Sequence, residues 1–374
     1  MHYIWQHIRT IIETYDGSLP LGHFLKNYCK QFPQLGSRDR RILSEMAYCW
    51  YRCEKGIAGY DISDFEGKMK VAMRSCGNRS VIGRMLPSDD EEIKDVIDQQ
   101  QLFSNNITFS KEIDREEWLA SLLVQPSLFI RIRKQMTQIV KLLEDNSIPY
   151  QFITEDCVSL PNGAKIDTLL PPAAYVVQDA SSQRTAAWFM PKKHERWYDC
   201  CSGAGGKSLL LKDKEPTVQL TVTDIRQTIL HNLQERVRNY GHTAPSAYVT
   251  DVTDSAKLEQ SLKGKQFDNI ICDAPCSGSG TWARTPEQAY FFDPNELKRF
   301  AGLQENIATN VAAYLKPGGR LIYITCSVFE EENENVVSGV MNRTGLVLKD
   351  SKLINGVGIK ADSMFIAVLQ KDGL

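Results

Sequence analysis

Apolar and polar positions along the chain change period three times. In the first hundred residues they recur at helical spacing. Ile4, Trp5, Ile8, Ile11, Ile12 and Tyr15 trace one face. Ser37 can cap a second helix, on which Ile42, Leu43, Met46, Trp50 and Cys53 form a stripe decorated by Arg38, Arg40, Arg41 and Arg52. A polar, acidic stretch near 86–110 reads as a linker. From 128 to 170 the elements shorten: residues 129–133 alternate as a strand, 136–143 read as a helix, and 150–153 and 157–160 read as short strands turning at Pro161-Asn162-Gly163. From 171 onward strands alternate with helices. The strands are expected at 197–200, 220–223, 247–250, 268–272, 321–325 and 365–369, and the clearest helices at 226–239 and 297–315, the latter stopped by Pro317-Gly318-Gly319. Such alternation predicts an α/β fold with a mostly parallel sheet covered on both faces. The expected organisation is a helical domain over 1–100, a linker and small α+β connector over 101–170, and the sheet domain over 171–374.

Composition adds little by itself. A length of 374 residues allows two or three domains, and 42% hydrophobic with 24% charged residues is ordinary for a globular protein. The net charge of −2 does not announce nucleic-acid binding, but residues 1–84 hold 13 Lys/Arg against eight Asp/Glu, and the run Asp89-Asp90-Glu91-Glu92 then cancels most of that surplus. A local basic surplus can bind phosphates or simply be a solvated helix surface. The ten cysteines form no zinc-site spacing, and the chain shows no signal peptide and no bilayer-length apolar run. Reduced thiols in a cytoplasmic protein, with no metal and no membrane, are expected.

The chemistry gathers at three predicted strand ends, where open α/β sheets build their sites. Cys201-Ser202-Gly203-Ala204-Gly205-Gly206-Lys207-Ser208 follows a strand and opens a helix, so a ligand can approach bare backbone and free N–H groups. A nucleotide phosphate, a dinucleotide or the amino-acid part of S-adenosylmethionine would suit it. The P-loop pattern fails by one residue, since Cys201 stands where glycine is needed, although Ile270-Ile271-Cys272-Asp273 resembles the companion acidic strand. Asp224 ends the next strand, 21 residues after Gly203, where a carboxylate can accept both ribose hydroxyls, and Asp251 ends the one after, where it could receive an adenine amino group. A P-loop enzyme needs neither.

Two thiols complete the set. Cys276 lies in Asp273-Ala274-Pro275-Cys276-Ser277-Gly278-Ser279-Gly280, and Cys326 in Thr325-Cys326-Ser327. Alone, each reads as a buried cysteine at a strand end. Together, beside a methyl donor, they suit methylation of a pyrimidine at C5. That carbon is a poor nucleophile until a thiolate adds at C6.

On these residues the chain resembles the RNA cytosine-C5 methyltransferases of the Nol–Nop–Sun family, and within it the RsmB-like (Fmu/Sun) group. The resemblance covers roughly 120–374. It rests on Val177-Gln178-Asp179 with Ser181-Ser182-Gln183, the 273–280 block with Arg284 and Pro286, and Tyr323-Ile324-Thr325-Cys326-Ser327 with Glu331-Glu332-Asn333-Glu334. Segment 37–56 is similar to the NusB-like helical RNA-binding domain of that group. The resemblance implies a Rossmann-like class I methyltransferase domain with a seven-stranded sheet behind an all-helical NusB-like domain. It implies Cys326 as nucleophile, Cys276 assisting release, Asp273 between cofactor and cytosine, and Lys207 bracing the site. It implies S-adenosylmethionine held by residues 201–207, Asp224, Arg226, Asp251 and Asp273. The partner would be RNA, first of all 16S rRNA, and the protein a monomer. The chain departs from the family's usual pattern at Ser202-Gly203-Ala204, Ala283, Glu287 and Asp362-Ser363-Met364-Phe365. A P-loop nucleotidase and a catalytically silent RNA-binding assembly factor are the competing readings.

Overall fold

The computed structural model describes residues 2–57, 64–76 and 97–373, so the acidic run at 89–92 and the first part of the expected linker lie outside the described residues. The chain divides into two compact units. One gathers residues 1–107, 114–126 and 281–294, and the other gathers 108–113, 127–280 and 295–374. The helical unit therefore runs past residue 100 and takes in 281–294, a segment whose pattern had placed it in the sheet domain.

In the helical unit, helices His2–Thr14, Leu21–Gln31, Ser37–Ile57 and Phe65–Ser75 bury one apolar face each. Ile8, Ile11, Ile42, Leu43, Met46, Trp50 and Cys53 are buried together, as the helical period predicted. The helix Leu21–Gln31 begins directly after Pro20 and was not anticipated. Arg52 corrects the reading of an arginine-decorated surface. It is buried, and its guanidinium donates to Leu122 O at 2.8 Å and Gln125 Oε1 at 2.8 Å. The described part of the expected linker is packed, because Leu102 and Phe103 are buried.

The second unit holds two sheets. The smaller is antiparallel, in the order β2-β3-β1-β4, from β1 (Leu128–Ile132), β2 (Gln151–Phe152), β3 (Cys157–Leu160) and β4 (Tyr175–Val177). Strand β4 lies beyond 170, so the connector closes on a segment assigned by pattern to the next domain. The larger sheet comprises β5 (Arg196–Asp199), β6 (Gln219–Asp224), β7 (Ser246–Val249), β8 (Phe267–Asp273), β9 (Leu315–Thr325), β10 (Val347–Ile354) and β11 (Met364–Gln370). Its order is β10-β11-β9-β8-β5-β6-β7. Strands β5 to β9 pair in parallel, and β11 pairs antiparallel with both β9 and β10, so it alone runs against the other six. The fold is thus the α/β class with a mostly parallel seven-stranded sheet.

One expected helix stop is instead part of a strand. Helix Asn295–Ala312 ends earlier than 315, and Pro317-Gly318-Gly319 lies inside β9. Phe267 pairs with Leu315 but Asn269 pairs with Arg320, so the Pro-Gly-Gly residues form a bulge in the ladder. No helix among the described residues is long and apolar enough to cross a membrane.

Candidate active site

The chain winds from β5 outward through β6 to β7, then returns to β8 and continues the other way to β9. This reversal opens a crevice at the carboxyl ends of β5 and β8, the usual ligand position in such sheets. The glycine turn, Asp224, the 273–280 loop and Cys326 all follow strand ends on that side.

The turn after β5 is shaped by its glycines and by β6. Gly205 has φ +81°, and a Cβ there would stand 2.7 Å from Leu233 Cγ, so glycine is required. Ser202 donates from its N–H and its Oγ to Thr223 O at 3.0 and 3.1 Å. The Gly203 N–H donates to Asp224 Oδ2 at 3.2 Å. Arg226 donates from Nε and Nη2 to the two Asp224 oxygens at 2.9 and 3.0 Å. Burial pushes the Asp224 carboxyl up, but the Arg226 side-chain and backbone donors outweigh it and hold it below the usual range. Asp251 Oδ1 accepts from Thr253 N–H at 3.0 Å and Thr253 Oγ1 at 2.6 Å.

Beside the turn lies a cavity of about 460 Å3. Cys201, Gly203, Asp224, Arg226, Asp251 and Asp273 line it, with Ile225, Val252, Pro275, Leu303 and Ile307 as apolar walls. Ser202, Ala204, Gly205, Gly206 and Lys207 are not part of the lining. The first four shape the turn and the start of helix Gly206–Lys214. The volume falls within the range of about 300–1,000 Å3 typical of small-molecule sites. Apolar walls with carboxylates from successive strand ends suit the nucleoside of S-adenosylmethionine.

Lys207 is buried, and its ammonium donates to Asp273 Oδ2 at 3.1 Å and Ser182 Oγ at 3.0 Å. Asp199, at the end of β5, is buried beneath the turn. Its Oδ2 accepts from Ser208 Oγ at 2.7 Å, while Oδ1 has no hydrogen-bond partner among the described residues. Burial pushes this carboxyl up to about 7.

The two thiols meet: Cys276 Sγ and Cys326 Sγ stand 3.2 Å apart, both free and both half-buried. The 273–280 loop is laid across the end of β9. Ala274 N–H donates to Ile324 O and Gly280 N–H to Cys326 O, each at 2.9 Å. Gly280 allows this approach, since a Cβ there would fall 2.1 Å from Ser363 O. The neighbouring Cys326 sulfur, then burial, pushes the Cys276 thiol well above its ordinary range, so it remains protonated at neutral pH.

Sequence reasoning gave no role to Ser182, Asp199, Ile225 or Gln304. Ile225 carried a signal, an apolar residue directly after a strand-end carboxylate, and it is largely exposed at the cavity. Among the described residues no group of His, Cys, Asp or Glu could hold a metal ion.

Residues 186–370 match the family model described as 16S rRNA methyltransferase RsmB/F. Over 203 residues the chain is 31% identical to the ribosomal RNA small subunit methyltransferase B of Shewanella oneidensis, covering 54% of this chain and 46% of the relative. The match thus spans less than half of that relative's length. Among solved structures, PH0851 superposes with a TM-score of 0.70 at 18% identity, covering 98% of this chain and 97% of that one. NSun6 from Pyrococcus horikoshii, solved with SFG, superposes with a TM-score of 0.58 at 16% identity, covering 68% and 94%. These two likenesses show the fold.

Proposed function

We propose, from the premise that residues 186–370 belong to the RsmB/F family, that this chain transfers a methyl group from S-adenosylmethionine to C5 of a cytosine in RNA, first of all 16S rRNA. The observation that carries the chemistry is the 3.2 Å approach of the Cys276 and Cys326 sulfurs in the unit that holds the carboxylate-rimmed cavity.

Asp224 accepts the ribose hydroxyls and Asp251 the adenine amino group, while Ile225 and Val252 cover the base. The bound cofactor supplies an electrophilic methyl group. The Cys326 thiolate adds to C6 of the cytosine, which makes C5 electron-rich enough to take the methyl. A base then removes the C5 proton, the S–C6 bond breaks, and its electron pair returns to the Cys326 sulfur. Cys276, kept protonated, stands where it can assist that departure. Asp273 would stand between cofactor and cytosine, its carboxylate held by the Lys207 ammonium at 3.1 Å. Exposed Arg38, Arg40 and Arg41 offer phosphate contacts to RNA. We read the protein as a cytoplasmic monomer organised as a helical RNA-binding domain, a connector and a methyltransferase domain.

A P-loop nucleotidase is less well supported. Three carboxylates line the cavity beside the glycine turn, and they would repel a triphosphate. The test is incubation with methyl-labelled cofactor and 16S rRNA, followed by nucleoside mass spectrometry. Labelled 5-methylcytidine is expected. Label in another nucleoside, or none alongside ATP hydrolysis, would overturn the reading.

A further inference from the structure

In the acidic run after Cys326, Glu332 and Asn333 are fully buried. Each holds one of the two thiol-bearing segments. Glu332 Oε1 accepts from the Ser277 N–H at 2.8 Å and Oε2 from the Ser277 hydroxyl at 2.5 Å. Gln304 spends both amide hydrogens on the same task. Its Nε2 donates to Glu332 Oε1 at 2.9 Å and to Pro275 O at 3.0 Å. The residues before and after Cys276 are therefore gripped from outside their own loop. The Tyr323 hydroxyl, 2.6 Å from Glu332 O and 3.1 Å from Gln304 Oε1, fixes the grip to β9.

Asn333 does the same for Cys326. Its Oδ1 accepts from Thr325 Oγ1 at 2.6 Å, and its Nδ2 donates to Ser327 O at 3.0 Å and Ser110 Oγ at 2.9 Å. Two adjacent residues thus bracket two thiols from different strand ends. Buried polar groups that are fully satisfied in this way hold one geometry, because any shift leaves a donor or acceptor unpaired.

We infer that Glu332 with Gln304, and Asn333, are separate positioning residues for the two thiols: Glu332 and Gln304 aim Cys276 for release of the product, and Asn333 aims Cys326 for attack. The inference rests on the two-thiol reading given above. It predicts opposite kinetic defects from neighbouring substitutions. In Glu332→Gln one amide oxygen can still accept from the Ser277 N–H, but the Ser277 hydroxyl loses its charged acceptor and the remaining hydrogen bonds lose their charge assistance, so the Cys276 loop loosens while Cys326 remains in place. In Asn333→Ala the Cys326 segment loosens.

The experiment uses the full chain with RNA and S-adenosylmethionine, and reads single-turnover methyl transfer, steady-state turnover and the covalent protein–RNA adduct on a denaturing gel. Cys276→Ser is the control that defines full trapping. Glu332→Gln is expected to keep single-turnover transfer within about threefold, lose about tenfold or more in steady-state turnover, and accumulate adduct. Asn333→Ala is expected to lose about tenfold or more in single-turnover transfer with no adduct. Gln304→Ala, which leaves the buried Glu332 carboxylate and its Ser277 contacts in place, should trap adduct like Glu332→Gln and stands in for it should that variant fail to fold. Adduct in Cys276→Ser but in neither Glu332→Gln nor Gln304→Ala would overturn the positioning role alone. Equal losses of both rates in the Glu332 and Asn333 variants would overturn it too. Absence of adduct in Cys276→Ser itself would remove the release role of Cys276, and the inference with it.

Discussion

The Gly203 N–H donates to Asp224 Oδ2 at 3.2 Å, which ties the glycine turn after β5 to the end of β6. Both sides of the cavity are therefore set by one carboxylate. Asp224→Ala should weaken S-adenosylmethionine binding by about 10- to 100-fold, since hydrogen bonds to a charged acceptor are worth roughly 1.5–3 kcal/mol. Arg226 is mostly exposed, and its pair with Asp224 is correspondingly weak. Arg226→Ala should shift the dissociation constant by less than about threefold. Calorimetry on both variants checks this, and an unchanged constant in Asp224→Ala would refute the site as drawn.

Asp199 makes a prediction about pH. Its carboxyl titrates near 7 in the folded protein against 3.8 ordinarily, with burial as the main cause. The folded state then holds a proton that the unfolded chain has already released. Between about pH 4 and 7 this group makes stability fall as pH rises, by up to about 1.4 kcal/mol per unit. Asp199→Asn mimics the protonated acid and should flatten that slope. Urea unfolding at pH 5 and 7.5 measures it, and equal slopes for the two proteins would contradict the assignment.

Much of this was legible because it is periodic. The five parallel strands appear within one to several residues of their expected positions, since each is an apolar run bounded by turn residues. Cys276, Cys326, Asp273, Lys207 and Asp224 were expected in one site because all follow strand ends of one sheet. What stayed hidden depends on distant partners. Arg52 is buried because carbonyl and amide oxygens at 122 and 125 receive it. Glu332 is buried because Ser277 and Gln304 satisfy it from 55 and 28 residues away. Strand β10 is exposed along most of its length and carries no alternation, so its pairing with β11 shows only in three dimensions.

Asp213 joins two guanidinium groups and an imidazole in the second unit. It lies 2.6 Å from Arg131 Nη2, 2.6 Å from Arg133 Nη2 and 2.6 Å from His242 Nε2, all about nine-tenths buried. Asp213→Ala would leave two buried guanidinium groups without their carboxylate, and should destabilise the protein by about 3–5 kcal/mol. Burial raises the Asp213 carboxyl, but Arg133, His242 and Arg131 outweigh it and hold it low. Its stabilisation is therefore complete above the ordinary carboxylate range and is lost as pH falls through the lowered value. Chemical denaturation at neutral pH and at pH 3 checks both statements. A variant as stable as the parent at neutral pH would show the cluster to be energetically neutral.

The central claim is that Cys326 bonds to the RNA and Cys276 lets it go. The direct measurement is denaturing gel electrophoresis of the Cys276→Ser protein after incubation with RNA and S-adenosylmethionine, with mass spectrometry of the shifted band. The account predicts an RNA-linked species attached at Cys326, absent from the Cys276→Ser/Cys326→Ala double variant. Normal turnover with no linked species, or a linkage at any other residue, would contradict it.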